Sequence, residues 1–295
     1  DKSFNQSAFE GLQRFTKETG VKVFEVQANS DTQAEQVMRG LARKKVDLIA
    51  AIGFSQTQAV QKVAREFPNV RFVLIDSVAQ GANIESVMFK EQEGSYLVGV
   101  ASAMASKTKK LGFVGGMDIP LIRAFACGYG QGAKAQAPKV EIIQNMVGTT
   151  AAAWNDPAKG GELARAQFDR GVDVVFAVAG GSGMGALQMA KTKGKLAVGV
   201  DSNQNYLHPG TMLTSMVKRV DVAVYDSFMA VKKGTWKAGV TYKGLKEGGV
   251  DWVLDKDNRA VVTPEIEKRV NAVRQDIING KIKVIDYRAG SSCPV

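Results

Sequence analysis

Apolar positions alternate between two spacings along the whole chain. Phe4, Ala8, Leu12 and Phe15 recur at a helical period and share one face, and Gly20 closes the run. Val21 to Val26 then reads as a strand. Ser30 and Asp31 can cap a helix whose apolar face holds Ala34, Val37, Met38 and Leu41. The run from Val46 to Ile52 reads as a buried strand and Gln56 to Phe67 as a helix. Val70 to Ile75 is a further strand that ends at Asp76. A strand near Ile84 to Phe89 leads into a helix from Gly94 to Ser106.

The same grammar then restarts. Leu111 to Val114 reads as a strand, Ile119 to Ala137 as a helix and Val140 to Val147 as a strand. Asp156 to Arg170 is helical, Val172 to Ala179 a strand, Gly185 to Thr192 a helix and Leu196 to Val200 a strand. Short apolar strands joined by helices imply right-handed βαβ units and parallel sheets. Two such sets predict an α/β protein of two doubly wound lobes. The first lobe is expected over residues 1–107 plus about 219–245, the second over 108–218 plus about 246–295. A doubly wound domain ordinarily opens with a strand, and none stands ahead of the first helix. Asp1 therefore reads as a strand-to-helix loop residue without its strand.

Composition agrees with that division and narrows the chemistry. The 295 residues correspond to about two domains at a usual domain size. Apolar residues make up 45% and charged residues 23%, which excludes a disordered chain or a fibrous repeat. No apolar run approaches the length needed to span a bilayer as a helix. With a single histidine, His208, in a Leu-His-Pro-Gly turn, neither a multi-histidine metal site nor a serine-protease triad is expected. No cofactor is expected either. Cys127 and Cys293 can pair or stay apart, and their spacing does not decide which. The net charge of +10 raises the question of nucleic acid. Its lysines and arginines, however, fall in short clusters that close helices or precede strands, such as Arg43 to Lys45 and Lys107 to Lys110. No aromatics are interleaved with them, so they read as a solvated surface and no nucleic-acid partner is expected.

In open α/β sheets, ligands bind outside the carboxyl ends of the strands. That rule selects the loops at residues 1–5, 53–56, 76–77, 115–118, 180–185 and 201–203. In two lobes, such loops can face one another across a cleft. The run Gly180 to Gly185 follows a strand and opens a helix, with Asp201 about twenty residues on, which resembles a dinucleotide fingerprint. No catalytic histidine or Lys-Tyr arrangement accompanies it. What remains is close backbone approach at Gly180 to Gly183 and a carboxylate, Asp201, placed to accept hydroxyl hydrogen bonds. Trp154 follows a turn-prone alanine run and can stack on a planar ligand. Asp156 reads as an N-cap and Phe9 as a residue beside the apolar stripe of its helix.

Six ordered motifs carry a family resemblance: Asp1 to Phe9, Gly115 to Ile122, Trp154 to Gly160, Ala179 to Gly185, Gly199 to Gln204 and Ser215 to Lys218. Together they resemble the basic membrane protein family of nucleoside-binding lipoproteins, and they run in the expected order to about residue 218. The chain departs from that pattern at its start, where the first strand and the lipid-bearing cysteine are not present.

The resemblance implies a type I periplasmic binding protein with three crossovers between its lobes. It would be no enzyme, but would deliver a nucleoside, with purines favoured, to an ABC permease in the inner membrane. It would act as a monomer, periplasmic or lipid-anchored to the cell membrane. Phe9 and Trp154 would sandwich the base, Asn5 and Asp76 would read its edges, and Asp1 would lie near the same end. Gly180, Asp201 and Lys218 would hold the ribose hydroxyls, and the lobes would close by a hinge, with the ligand selecting the closed population. Two other readings share this fold: a sugar or autoinducer binder, and the effector-sensing domain of a regulator.

Overall fold

The computed structural model describes residues 2–28 and 30–295, and Asp1 lies outside them. Helices α1 (Lys2–Thr19) and α2 (Asp31–Arg43) precede β1 (Ile49–Ile52), α3 (Thr57–Glu66), β2 (Phe72–Ile75) and β3 (Ile84–Phe89). There follow α4 (Glu91–Ala105), β4 (Lys110–Met117), α5 (Pro120–Gln136), β5 (Glu141–Gly148) and α6 (Pro157–Asp169). Next come β6 (Val174–Val178), α7 (Gly181–Lys193), β7 (Leu196–Asp201) and β8 (Met212–Lys218). The chain ends with α8 (Val220–Lys233), β9 (Gly239–Lys243), β10 (Val250–Asp251), α9 (Pro264–Ile278) and α10 (Tyr287–Gly290).

These elements form two compact units. Residues 4–89 and 219–243 make one, and residues 90–218 and 244–295 the other. The chain therefore passes from unit to unit after Phe89, after Lys218 and after Lys243. The first unit holds an all-parallel sheet in the order β1-β2-β3-β9. The second holds six strands ordered β10-β8-β7-β6-β4-β5, all parallel except the short β10 at one edge. Every residue of β2 and of β6 is buried, as expected where helices cover both faces of a parallel sheet.

Two sequence expectations change. The segment from Val21 to Val26 is not a strand: it pairs with nothing regular, and Val21, Phe24 and Val26 are 40%, 59% and 52% exposed. Strand propensity describes a fit to a half-buried pleated surface, and without a hydrogen-bonded neighbour it produces no strand. The second change concerns α4, which the sequence reading put in the first lobe. In the structure it belongs to the six-stranded unit and lies along α5. A Cβ added at Gly99, Gly128 or Gly132 would run into the main chain of the facing helix, so the two backbones meet at their glycines. Twelve of the fifteen residues of α4 are buried, which leaves no polar face to show which sheet it serves.

The run of glycines at the start of α7 has a similar origin. The helix begins at Gly181, and a Cβ on Gly185 would strike the carbonyl of Pro157 at the start of α6, while one on Gly160 would strike that of Ser182. Gly185→Ala is accordingly expected to destabilise the fold by about 2 kcal/mol, because a carbonyl in a helix cannot move aside as a side chain can. Chemical denaturation measures this, and an unchanged midpoint would show that α6 and α7 separate freely.

Cys127 on α5 and Cys293 near the chain end are disulfide-bonded, with Cα atoms 5.7 Å apart. The same C-terminal segment is tied to α5 by a second device. Gln131 donates to the Ile285 carbonyl at 2.9 Å and accepts from the Ile285 amide at 2.9 Å. Lys109, one of the clustered basic residues, donates to the carbonyls of Ala103 and Ser106 and so closes the end of α4.

Candidate ligand-binding site

In the six-stranded unit, four of the expected residues stand at or just beyond the carboxyl ends of strands of the one sheet. Asp201 is the last residue of β7 and Lys218 the last of β8, and the two strands pair in parallel so that Asp201 lies opposite Val217. Gly180 stands two residues beyond β6 and Trp154 closes a single 3-10 turn after β5. Gly180 has φ +55° and ψ −131°, a conformation that excludes side chains and leaves its backbone open to close approach.

Trp154 is half-buried, with its ring packed on Gly116 of β4, where a Cβ would overlap it. Buried Ser182 fixes the loop behind it, donating to the Ala153 carbonyl at 2.5 Å and accepting from the Asp156 amide at 2.7 Å. Asp156 caps α6 as expected, accepting from the Lys159 amide at 3.0 Å. One aromatic surface is thus held against the sheet end by Gly116 and Ser182. Neither residue carries a signal of its own in the sequence beyond lying in a glycine-rich run.

Asp201 is held by a turn of unusual geometry. Its φ is +69°, in the left-handed region, and the Ser202 amide donates to the Val200 carbonyl across it. For a residue with a Cβ this costs about 1–2 kcal/mol, and such strain persists only where surroundings impose it. They do so here through Gln204. Its Oε1 accepts from the Val200 amide at 2.8 Å, and its own amide donates to buried Ser215 at 3.0 Å. Ser215 in turn donates to Asn205 at 2.7 Å.

The four-stranded unit carries the second group. Asp76 directly follows β2, is 8% exposed and also has a left-handed φ, +80°, with its amide donating to the Val87 carbonyl. The first turn of α1 reaches the same edge, since the Phe4 ring lies 3.8 Å from where a Cβ on Gly53 would stand, and Gly53 bonds the end of β2. Asn5, next in that turn, is exposed, and Phe9 one turn on is half-buried. Ser7, between them, accepts from the Asp221 amide at 3.0 Å and so docks α1 on the start of α8. Both aspartates at strand ends, one per unit, therefore sit in strained turns.

Asp118 is held by a two-pronged contact from Arg123 at 2.6 and 2.7 Å, which keeps its carboxyl below the usual range. His208 lies in a turn as expected. Burial, and then Lys191, push its imidazole down toward the neutral form. Among the described residues no group of His, Cys, Asp and Glu could hold a metal ion. Sequence reasoning missed Glu91, the first residue of α4, which is fully buried with Oε1 3.2 Å from the Lys218 ammonium.

Two units built on parallel sheets and joined by three chain crossings, with polar groups and an aromatic at the carboxyl ends of their strands, have the architecture of the type I periplasmic binding fold. Over residues 1–287 the chain matches the Bmp family, described as ABC transporter substrate-binding protein PnrA-like, and it belongs to that family. It is 36% identical over 96% of its length to the ABC transporter nucleoside-binding protein BmpA of Lactococcus lactis subsp. cremoris, covering 85% of that protein. It is 32% identical to Basic membrane protein A of Borreliella burgdorferi, covering 96% of this chain and 84% of that one. Its fold superposes on an ABC transporter solute-binding protein from Aeropyrum pernix with a TM-score of 0.83 at 28% identity, covering 96% of this chain and 89% of that one. The protein is thus a substrate-binding component of an ABC importer and not an enzyme. It works outside the cytoplasmic membrane with a permease as partner. Among its described residues no helix is long and apolar enough to cross a membrane.

Proposed function

We propose that the solute is a nucleoside, with a purine base favoured. The observation that carries this reading is the edge of the six-stranded sheet, where an anchored aromatic ring lies a few strands from a carboxylate and an ammonium. A nucleoside is a flat heterocycle joined to a polyol, and it needs both kinds of surface. Trp154 offers its face to the base, and Phe9 is the second aromatic. Asn5 and Asp76 are assigned to the base edges, and Gly180, Asp201 and Lys218 to the ribose. The Lactococcus relative is named as nucleoside-binding, which supports the same ligand class.

Calorimetric titration of the purified protein with adenosine, ribose and adenine tests this directly. Adenosine is expected to bind at least about a hundredfold more tightly than either fragment, because only the whole molecule engages both surfaces. Ribose binding as tightly as adenosine would make the protein a sugar receptor. Mass spectrometry of ligand released on denaturation would identify the base.

A further inference from the structure

Lys218 is 3% exposed and Glu91 is fully buried, so neither charge is compensated by bulk water. The two carboxylate oxygens of Glu91 are divided between two cations. Oε1 stands 3.2 Å from the Lys218 ammonium, and Oε2 accepts from Arg288 Nη2 at 2.9 Å. Arg288 is itself aligned by Asp286, which accepts from Nε at 2.9 Å and from Nη2 at 3.1 Å. Burial opposes the charge of Arg288, and its pairing with Glu91 and Asp286 more than offsets this, holding the guanidinium above its ordinary pKa. Two acids and two bases thus form one chain in the order Lys218, Glu91, Arg288, Asp286.

That chain crosses from the sheet end to the C-terminal segment. Arg288 lies in α10, between the Gln131–Ile285 tie and the Cys127–Cys293 bond, and both of these fasten the segment to α5. The guanidinium is therefore delivered to Glu91 by a strap, 197 residues away in sequence.

We propose that Arg288 is a positioning residue for ligand capture, holding Lys218 at the sheet end by occupying the second oxygen of Glu91. A buried carboxylate with one cationic neighbour draws that cation in with both oxygens. With Arg288 in place, Lys218 meets one oxygen, and its ammonium stays at the end of β8 above the Phe125 ring, 5.7 Å from the ring centre. Removing Arg288 lets Glu91 pull the ammonium inward, away from a ligand hydroxyl. The inference rests on the reading of Lys218 as a ribose contact.

The test compares adenosine with 2′,3′-dideoxyadenosine, which has the same base but neither ring hydroxyl. Arg288→Met is expected to weaken adenosine about tenfold and the dideoxynucleoside less than about twofold, so the ratio between them collapses. Arg288→Gln, which still donates a hydrogen bond to Glu91 and so protects the fold, is expected to lower the ratio in the same direction. Arg288→Lys is expected to restore most of it. In a Lys218→Met background, Arg288→Met is expected to add no further loss. An equal loss for both ligands, or an undiminished loss without Lys218, would overturn the proposal. Absence of adenosine binding by the unaltered protein would instead overturn the nucleoside reading on which it rests.

Discussion

Asp201→Ala and Trp154→Ala are each expected to weaken adenosine binding by more than about tenfold, or about 1.4 kcal/mol, while unfolding stays cooperative. For Asp201 the loss has a definite source. Removing the carboxylate would leave a ligand hydroxyl without its acceptor, at about 1–3 kcal/mol where the contact is desolvated. The strained turn complicates an alanine, since the residue keeps φ +69° and alanine tolerates that region poorly. Asp201→Asn separates the two effects. Asparagine accepts the left-handed backbone and keeps one oxygen, so it should preserve stability while still losing the charged hydrogen bond. For Trp154 the ring is seated on Gly116 with Ser182 behind it, so truncation removes a stacking face and leaves the strands intact. Titration calorimetry reads both variants. Unchanged affinity in both would remove the site assignment.

Reduction of the Cys127–Cys293 bond is expected to cost about 2–4 kcal/mol of stability, and Cys127→Ser with Cys293→Ser should match it. The bond closes a sequence separation of 166 residues, so most of its effect comes from restricting the unfolded chain. Outside the cytoplasmic membrane such a bond persists. Denaturant unfolding with and without reductant measures the difference, and coincident midpoints would show that the bond contributes nothing. If the strap also places Arg288, reduction should lower adenosine affinity more than dideoxyadenosine affinity, the signature expected of Arg288→Met.

The charge of +10 and the glycine run show how one feature supports different readings at different levels. Gly181, Gly183 and the following helix match a dinucleotide pattern on paper. In the structure Gly185, like Gly160, is accounted for by a helix–helix contact, and Gly180 by its backbone angles. Lys109, part of a cluster that could be taken for a polyanion site, closes the end of α4. Motifs are local strings, and the atoms that justify them lie elsewhere in the chain.

The sequence by itself determined the alternation of strand and helix and the loops at the carboxyl ends of the strands. Each of these follows from spacing along a few residues, which local backbone geometry converts directly into structure. It also placed Asp76 and Asp201 at strand ends. Only the tertiary structure decided that Val21 to Val26 stays out of the sheet and that α4 lies against α5. The same holds for the pairing of Cys127 with Cys293 and for the sharing of Glu91 between Lys218 and Arg288. All four depend on which distant segment supplies a partner. A hydrogen-bonded strand, a facing backbone, a second thiol or a countercharge acts through space, and its choice leaves no period in the sequence.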